Sequence, residues 1–262
     1  MGYGLTVFTR SHVHVDLIGT GLFAASALAI PAVGLSSVSA KAVVLWSVKL
    51  ASFLFVRVLR TGHDSRLDDL LGSPGPAAGF WFAQFLWAFI VSLPHTLAAD
   101  LPVKAQPAFG GCQLVGLAMY ASGLLIETLS DAQKWTFKQD PANSGRFCSV
   151  GLWSLSQHPN WLGNLLLWSG LFLYNAPALL TTRGPDESVL RRALRLGAAA
   201  LSPLMLLGLF SGQASGAIGP GVAQASSRYA ADPKYAAYLK DTPLIFPTLG
   251  GLGRALSGSA RP

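Results

Sequence analysis

FWFAQFLWAFIVSLPHTLAA, Phe80–Ala99, runs twenty residues without one Asp, Glu, Lys or Arg. That is about the length an α-helix needs to cross the ~30 Å hydrocarbon core of a bilayer at ~1.5 Å per residue. A second such run, WLGNLLLWSGLFLYNAPALL, occupies Trp161–Leu180. The composition around them agrees. Of 262 residues, 51% are hydrophobic and 12% charged, and the mean hydropathy is +0.44, whereas a soluble domain carries about 25% charged residues. Lipid is therefore the expected solvent for most of the chain. Backbone groups find no water there and must bond within their own segment, and no strand-like alternation is present. The expected fold is an all-α polytopic membrane helix bundle, a single integral-membrane domain over 1–262.

Six spans emerge, at roughly 15–34, 41–59, 79–99, 109–130, 161–182 and 194–213. Six spans put the N-terminus, the 60–78 and 131–160 loops and the tail on one side. That side holds Arg10, Arg57, Arg60, Arg66, Lys134, Lys138, Arg146, Arg228, Lys234, Lys240, Arg254 and Arg261. The opposite side holds Lys41, Lys104, Arg183, Arg191, Arg192 and Arg195. The bias places both termini inside, with the 191–195 cluster opposing it. The net charge of +7 is spread over loops with no long basic tract, which excludes a nucleic-acid footprint. Cys112 and Cys148 lie in no metal-ligand spacing.

Several residues stand out against this background. Lys49 falls in the middle of the second span, where a charge is costly unless it snorkels or meets another helix. Pro94–His95 reads as a helix exit. His12 and His14 form an H-x-H pair without a third ligand nearby, so no metal site is expected. In the tail, 214–262, ASGAIGPGVAQASS reads as a small-residue linker, and RYAADPKYAAYLKDTPLIFP as a short polar helix ended by Pro243 and lying at the membrane surface.

The chemistry is concentrated between the fourth and fifth spans. ETLSDAQKWTFKQD carries helical periodicity past the membrane edge, placing Glu127, Asp131, Lys134 or Trp135, and Lys138 on one face. The acids can accept from hydroxyls and amides, while the lysines and Arg146 suit phosphate; a solvated helix with Asp131 paired to Lys134 is the plainer alternative. SQHPNW then starts the fifth span, with Pro159 in the first turn and Ser156 or His158 at the cap. Asn160 and Asn164, four residues apart, both point into the bundle. Trp153, Trp161 and Trp168 read as interfacial anchors.

The pattern E-x-x-x-D-x-Q-x-x-x-F-x-x-D-P-A-N-x-G-x-x-C-x-x-G-L-W-x-x-S-x-H-P-N, from Glu127 to Asn160, resembles that of the steroid 5-alpha-reductase-like family of membrane proteins. RVLRTGHDSRLDDL with GFWFAQFLWAFIVSLP, and YAAYLKDTPLIFP near the end, extend the resemblance over roughly 45–247. The wider superfamily holds NADPH-dependent steroid and sterol reductases and S-adenosylmethionine-dependent isoprenylcysteine methyltransferases. The resemblance implies a cofactor pocket of Glu127, Asp131, Lys134, Lys138, Arg146, His158, Pro159, Asn160, Trp161 and Asn164, opening to the inner side. It also implies an apolar substrate arriving from the bilayer. The cofactor implied is NADPH or NADH, and the reaction reduction of a lipid-like or steroid-like C=C bond.

Where the family has S-R-H-P-N-Y-x-G-E, this chain has Gln157, Trp161 and Asn164. A phosphate-binding arginine, a tyrosine able to act as an acid and a carboxylate are thereby absent. Two alternatives follow. One is a catalytically degenerate member with no cofactor, acting as an accessory subunit of a larger membrane complex. The other is a methyltransferase using S-adenosylmethionine. The expected setting is the endoplasmic reticulum or a mitochondrial or plastid membrane.

Overall fold

The computed structural model describes residues 2–9, 14–31, 34–61 and 73–256. Arg10, His12, Arg66, Arg261 and the 62–72 part of the 60–78 loop lie outside them, as does the side chain of Arg254. Among the described residues every regular element is helical: α1 (Gly2–Thr9), α2 (Val15–Ala29), α3 (Leu35–Thr61), α4 (Pro74–Ala99), α5 (Gly111–Gln139), α6 (Pro159–Leu180), α7 (Val189–Ala214), α8 (Gly221–Tyr229), α9 (Pro233–Asp241) and α10 (Leu249–Leu256), with short 3-10 turns between. The chain is an all-α membrane helix bundle. Helices α2 to α7 occupy the six expected places. Four of them, α3, α4, α5 and α7, are long and apolar enough to cross a membrane. Helix α6 has the length, with Asn160, Asn164 and Asn175 lowering its hydropathy. Phe82, Phe85 and Phe89 stand exposed on one face of α4, which suits a lipid-facing stripe.

The boundaries depart from expectation in instructive places. The first span ends at Ala29 rather than near residue 34, leaving a 15-residue helix. Pro31 disfavours helical geometry at the residue before it, and Ile30 is extended at φ −92°, ψ 125°. Conversely, Pro94 does not end α4. The helix runs on to Ala99 with Pro94 and His95 buried inside it. A proline within a membrane helix is tolerated where neighbours satisfy backbone groups, and Ser202 Oγ donates to the Val91 carbonyl at 2.9 Å. In the tail, the expected linker contains α8, and the expected single polar helix begins only at Pro233, with the Asp232 side chain accepting from Lys234 N at 2.9 Å.

The chain divides into two compact units, Met1–Leu117 with Leu171–Met205, and Ala118–Gly170 with Leu206–Pro262. In the first, α2 packs on α3. Phe23 meets Trp46 edge-on at 5.1 Å and Trp87 at 4.8 Å, with Phe23 and Trp46 fully buried. Each such aromatic pair contributes about 0.5–1.5 kcal/mol beyond its buried area. Lipid offers no hydrophobic drive between helices, so small residues and interhelical hydrogen bonds take that part. The Ser47 hydroxyl accepts from Ala24 N at 3.1 Å and donates to Thr20 O at 2.7 Å. Asn175 reaches Ser39 at 2.8 Å. His14 approaches Thr6 Oγ1 at 3.2 Å and stacks on Trp81. Lys49 sits half-buried midway along α3.

The basic residues that oppose the charge bias have a structural explanation in this unit. The Arg195 guanidinium donates to the carbonyls of Leu179 and Thr181, both at 2.7 Å, and pairs with Glu187. It thereby caps the C-terminus of α6, where the last carbonyls have no intrahelical donor. Arg183 does the same for α4, donating to Leu97 O and pairing with Asp100. Two of the opposing cations are thus neutralised within the fold. The second unit carries the candidate site.

Candidate functional site

Helix α5 runs unbroken to Gln139 because ETLSDAQKWTFKQ contains no Gly or Pro; it stops at Asp140, held extended at φ −76°, ψ 118° before Pro141. Its contact with α6 is made through glycine. A Cβ on Gly123 would lie 2.5 Å from Gly163 O and Leu167 N, and one on Gly163 would lie 2.5 Å from Glu127 N. The two backbones therefore touch, as small residues permit in membrane helices. That approach sets Asn164, next to Gly163, beside Glu127.

Two carboxylate–carboxamide pairs result, one helical turn apart. Asn164 Nδ2 donates to Glu127 Oε1 at 2.9 Å, with both side chains buried. Asn160 Nδ2 donates to Asp131 Oδ1 at 3.3 Å. The second acceptor of the inner pair, Asn164 Oδ1, is buried and receives no hydrogen bond. An unsatisfied buried acceptor costs about 1–3 kcal/mol and calls for an explanation.

His158 forms the N-cap of α6: its carbonyl accepts from Trp161 N and Leu162 N, and its own N–H donates to Ser156 Oγ at 3.1 Å. Pro159 occupies the first helical position, as expected. The imidazole stacks on the Trp161 indole at 4.0 Å, and the indole stacks on Phe210 at 5.5 Å. Burial, reinforced by the Lys134 ammonium, lowers the His158 pKa to about 4. His158 is neutral at pH 7 and offers one donor and one acceptor rather than a positive charge.

The remaining cations lie toward the exposed end of α5. Lys134 Nζ sits 4.3 Å from the Trp153 ring centroid. Lys138 donates to Tyr229 OH at 2.9 Å and to the Arg146 carbonyl; the Arg146 guanidinium donates to Asn143 Oδ1 at 3.2 Å. The structure thus joins Glu127, Asp131, Asn160 and Asn164 in adjacent pairs. It sets His158, Pro159, Trp161 and Lys134 around the start of α6, and leaves Lys138 and Arg146 at the solvent-exposed end.

Of the three tryptophans expected as interfacial anchors, two are instead packed inside: Trp153 is buried, with its indole donating to Ser130 O at 2.9 Å, and Trp168 is fully buried. Gln157, where an arginine was the family's residue, is committed to the tail, its side chain donating to Thr242 O at 2.6 Å and Leu239 O at 3.1 Å.

Some participants were not visible in sequence. Tyr238 OH donates to Trp153 O at 2.8 Å, and burial raises its pKa. Tyr229, Tyr235 and Tyr238 surround Phe147 at 5.9, 5.1 and 5.2 Å. These contacts fold α8 and α9 onto the 140–158 loop, and no local pattern marks them. Gly123 carries a faint signal, one turn before an acid on the same face.

Residues 2–242 match a family described as proteins of unknown function, DUF1295. The chain belongs to this family. A partial similarity joins it to a curated protein: 113 residues are 27% identical to the uncharacterized protein C594.04c of Schizosaccharomyces pombe, covering 36% of this chain and 32% of that protein. The chain thus spans about a third of the length of the curated relative it matches. No solved structure matches this DUF1295 chain.

Proposed function

We propose that the chain is an integral-membrane oxidoreductase of the steroid 5-alpha-reductase-like type, using a nicotinamide cofactor to reduce a C=C bond of a lipid-like substrate. The observation that supports it is the buried Asn164 Oδ1, an acceptor without a donor, fixed beside the Glu127 carboxylate. A ligand carboxamide has the N–H groups that such an acceptor lacks, and the nicotinamide ring carries one. The donor set fits the rest of such a cofactor in kind. Lys134, Lys138 and Arg146 offer cations for phosphates.

When bound, the cofactor would supply hydride. The chain's own residues hold and orient it: Asn164 and Asn160 through their amides, Glu127 and Asp131 by fixing those amides. His158 is neutral and Trp161 has no acidic proton, so neither donates the proton readily. The proton would then come from a water or from another group. Gln157, committed to the tail, supplies no cation for a 2′-phosphate at that position, which favours NADH over NADPH.

A second reading is supported by a different observation. The Trp161 ring is covered by His158 on one side and Phe210 on the other, and Lys138 is engaged by Tyr229. Internal contacts of this kind suit an accessory subunit of a larger membrane complex whose pocket has closed. An S-adenosylmethionine-dependent methyltransferase remains the third reading, since its cofactor shares the adenosine.

The test is direct. Purified protein in detergent is titrated with NADH, NADPH and S-adenosylmethionine while fluorescence of the tryptophans is followed. Micromolar binding of a nicotinamide nucleotide, weakened about tenfold or more by Asn164→Leu, a loss of ~1.4 kcal/mol, is the expected result. Binding of none of the three removes the reductase reading and leaves the accessory one.

A further inference from the structure

Helices α2 and α3 leave a groove of about 620 Å³ between them, at the end where the chain passes from one to the other. Its inner wall is apolar: Ala27 and Leu28 from α2, with Val44, Leu45 and Val48 from α3. At its mouth stands Lys41, exposed, six residues into α3. The deeper residues of α3 lie one to two turns further along, about 5–10 Å below Lys41 at ~1.5 Å per residue. Along α3 the lining thus passes from a cation at the exposed rim to an apolar wall. A lysine at this height reaches the interface with its ammonium while its methylenes line the groove.

Lys41 is the one charged residue among those lining the groove. From Leu17 to His63 the sequence contains no Asp or Glu. Lys104 lies two residues from Gln106, whose side chain accepts from Leu35 N at 2.7 Å at the start of α3. The positive end of the α3 dipole points the same way. An anion is therefore the complementary occupant of the mouth, and a hydrocarbon chain that of the depth.

We propose that this groove binds one anionic diacyl phospholipid, its phosphate at Lys41 and an acyl chain along Val44, Leu45 and Val48. This site belongs to the first compact unit and does not depend on the cofactor pocket.

The experiment is native mass spectrometry of the protein released from detergent micelles doped with equal amounts of phosphatidylglycerol and phosphatidylcholine. Expected is one retained phosphatidylglycerol with about a five-fold preference over phosphatidylcholine, the ratio that one lysine near an anionic headgroup supplies. Lys41→Gln, a change at an exposed position, should abolish the preference. Ala40→Trp, which fills the groove without touching the charge, should lower retention of both lipids. Equal retention of the two lipids by the wild type, or a preference that survives Lys41→Gln, overturns the proposal. A circular-dichroism melt of each variant separates loss of lipid from loss of fold.

Discussion

Asn164 Nδ2 lies 2.9 Å from Glu127 Oε1, joining α6 to α5 through two buried side chains. The bond matches the residue types: an ionised carboxylate only accepts, and a carboxamide donates. Asn164→Leu removes this donor from a buried acid and should destabilise the protein by about 1.5–3 kcal/mol. Asn164→Asp, near-isosteric, instead sets a second carboxyl beside the first. Two carboxyls at this distance share one proton, so that variant should be markedly less stable than wild type at pH 7 and recover near pH 4. Thermal unfolding in detergent at the two pH values checks both; an Asn164→Asp loss that does not depend on pH would contradict the pairing.

Gly163→Ala should be more damaging than its single methyl group suggests. The new Cβ would fall 2.5 Å from Glu127 N and 2.6 Å from Gly123 O, and neither backbone atom can move aside without parting α5 from α6. Overpacking of this kind costs about 1–3 kcal/mol. Separation would also stretch the Asn164–Glu127 bond, so the variant should lose nucleotide binding along with stability. A melt and a binding titration on one preparation measure both, and an unaltered midpoint would rule the close contact out.

The pH dependence of stability should carry the signature of His158. Its pKa is lowered to about 4, chiefly by burial and further by Lys134, while an unfolded histidine titrates near 6.5. The unfolded chain thus takes up this proton first on acidification. The stabilisation is fully present above pH 6.5 and is lost as pH falls from 6.5 toward 4, by at most about 3 kcal/mol. Unfolding midpoints across pH 4–7 should fall less steeply for His158→Gln than for wild type; superimposable pH profiles would show that His158 is not held neutral.

Arg195→Met should weaken the far end of α6. It orphans the carbonyls of Leu179 and Thr181 at a cost of about 1 kcal/mol or more for each. It also strips Glu187 of the guanidinium whose hydrogen bond holds its carboxyl below the usual range. The unfolding midpoint should drop while nucleotide affinity stays unchanged, because both groups lie in the other compact unit. A fall in affinity with no change in midpoint would contradict this assignment.

The sequence alone determined the solvent, and with it the class of fold. Twenty uncharged residues at Phe80–Ala99 admit only a helix in hydrocarbon, and the six expected spans correspond to α2 to α7, four of them long and apolar enough to cross a membrane. It also determined the local beginnings and ends that depend on backbone chemistry, such as Pro159 opening α6 and the unbroken α5 beyond residue 130. The pairing of Asn160 and Asn164 with the acidic face was legible because four-residue spacing is a property of one helix. Pro94 was misread because whether a proline ends a helix depends on neighbours such as Ser202, more than a hundred residues away.

Only tertiary structure decided how near α5 and α6 come, since Gly123 and Gly163 matter only as a pair. It alone packed Trp153 and Trp168 inward, set Phe210 against Trp161, and gave Arg183 and Arg195 carbonyls to cap rather than a membrane face to mark. Periodicity along a chain reports which face a residue shares. What stands opposite that face is settled by packing between segments distant in sequence.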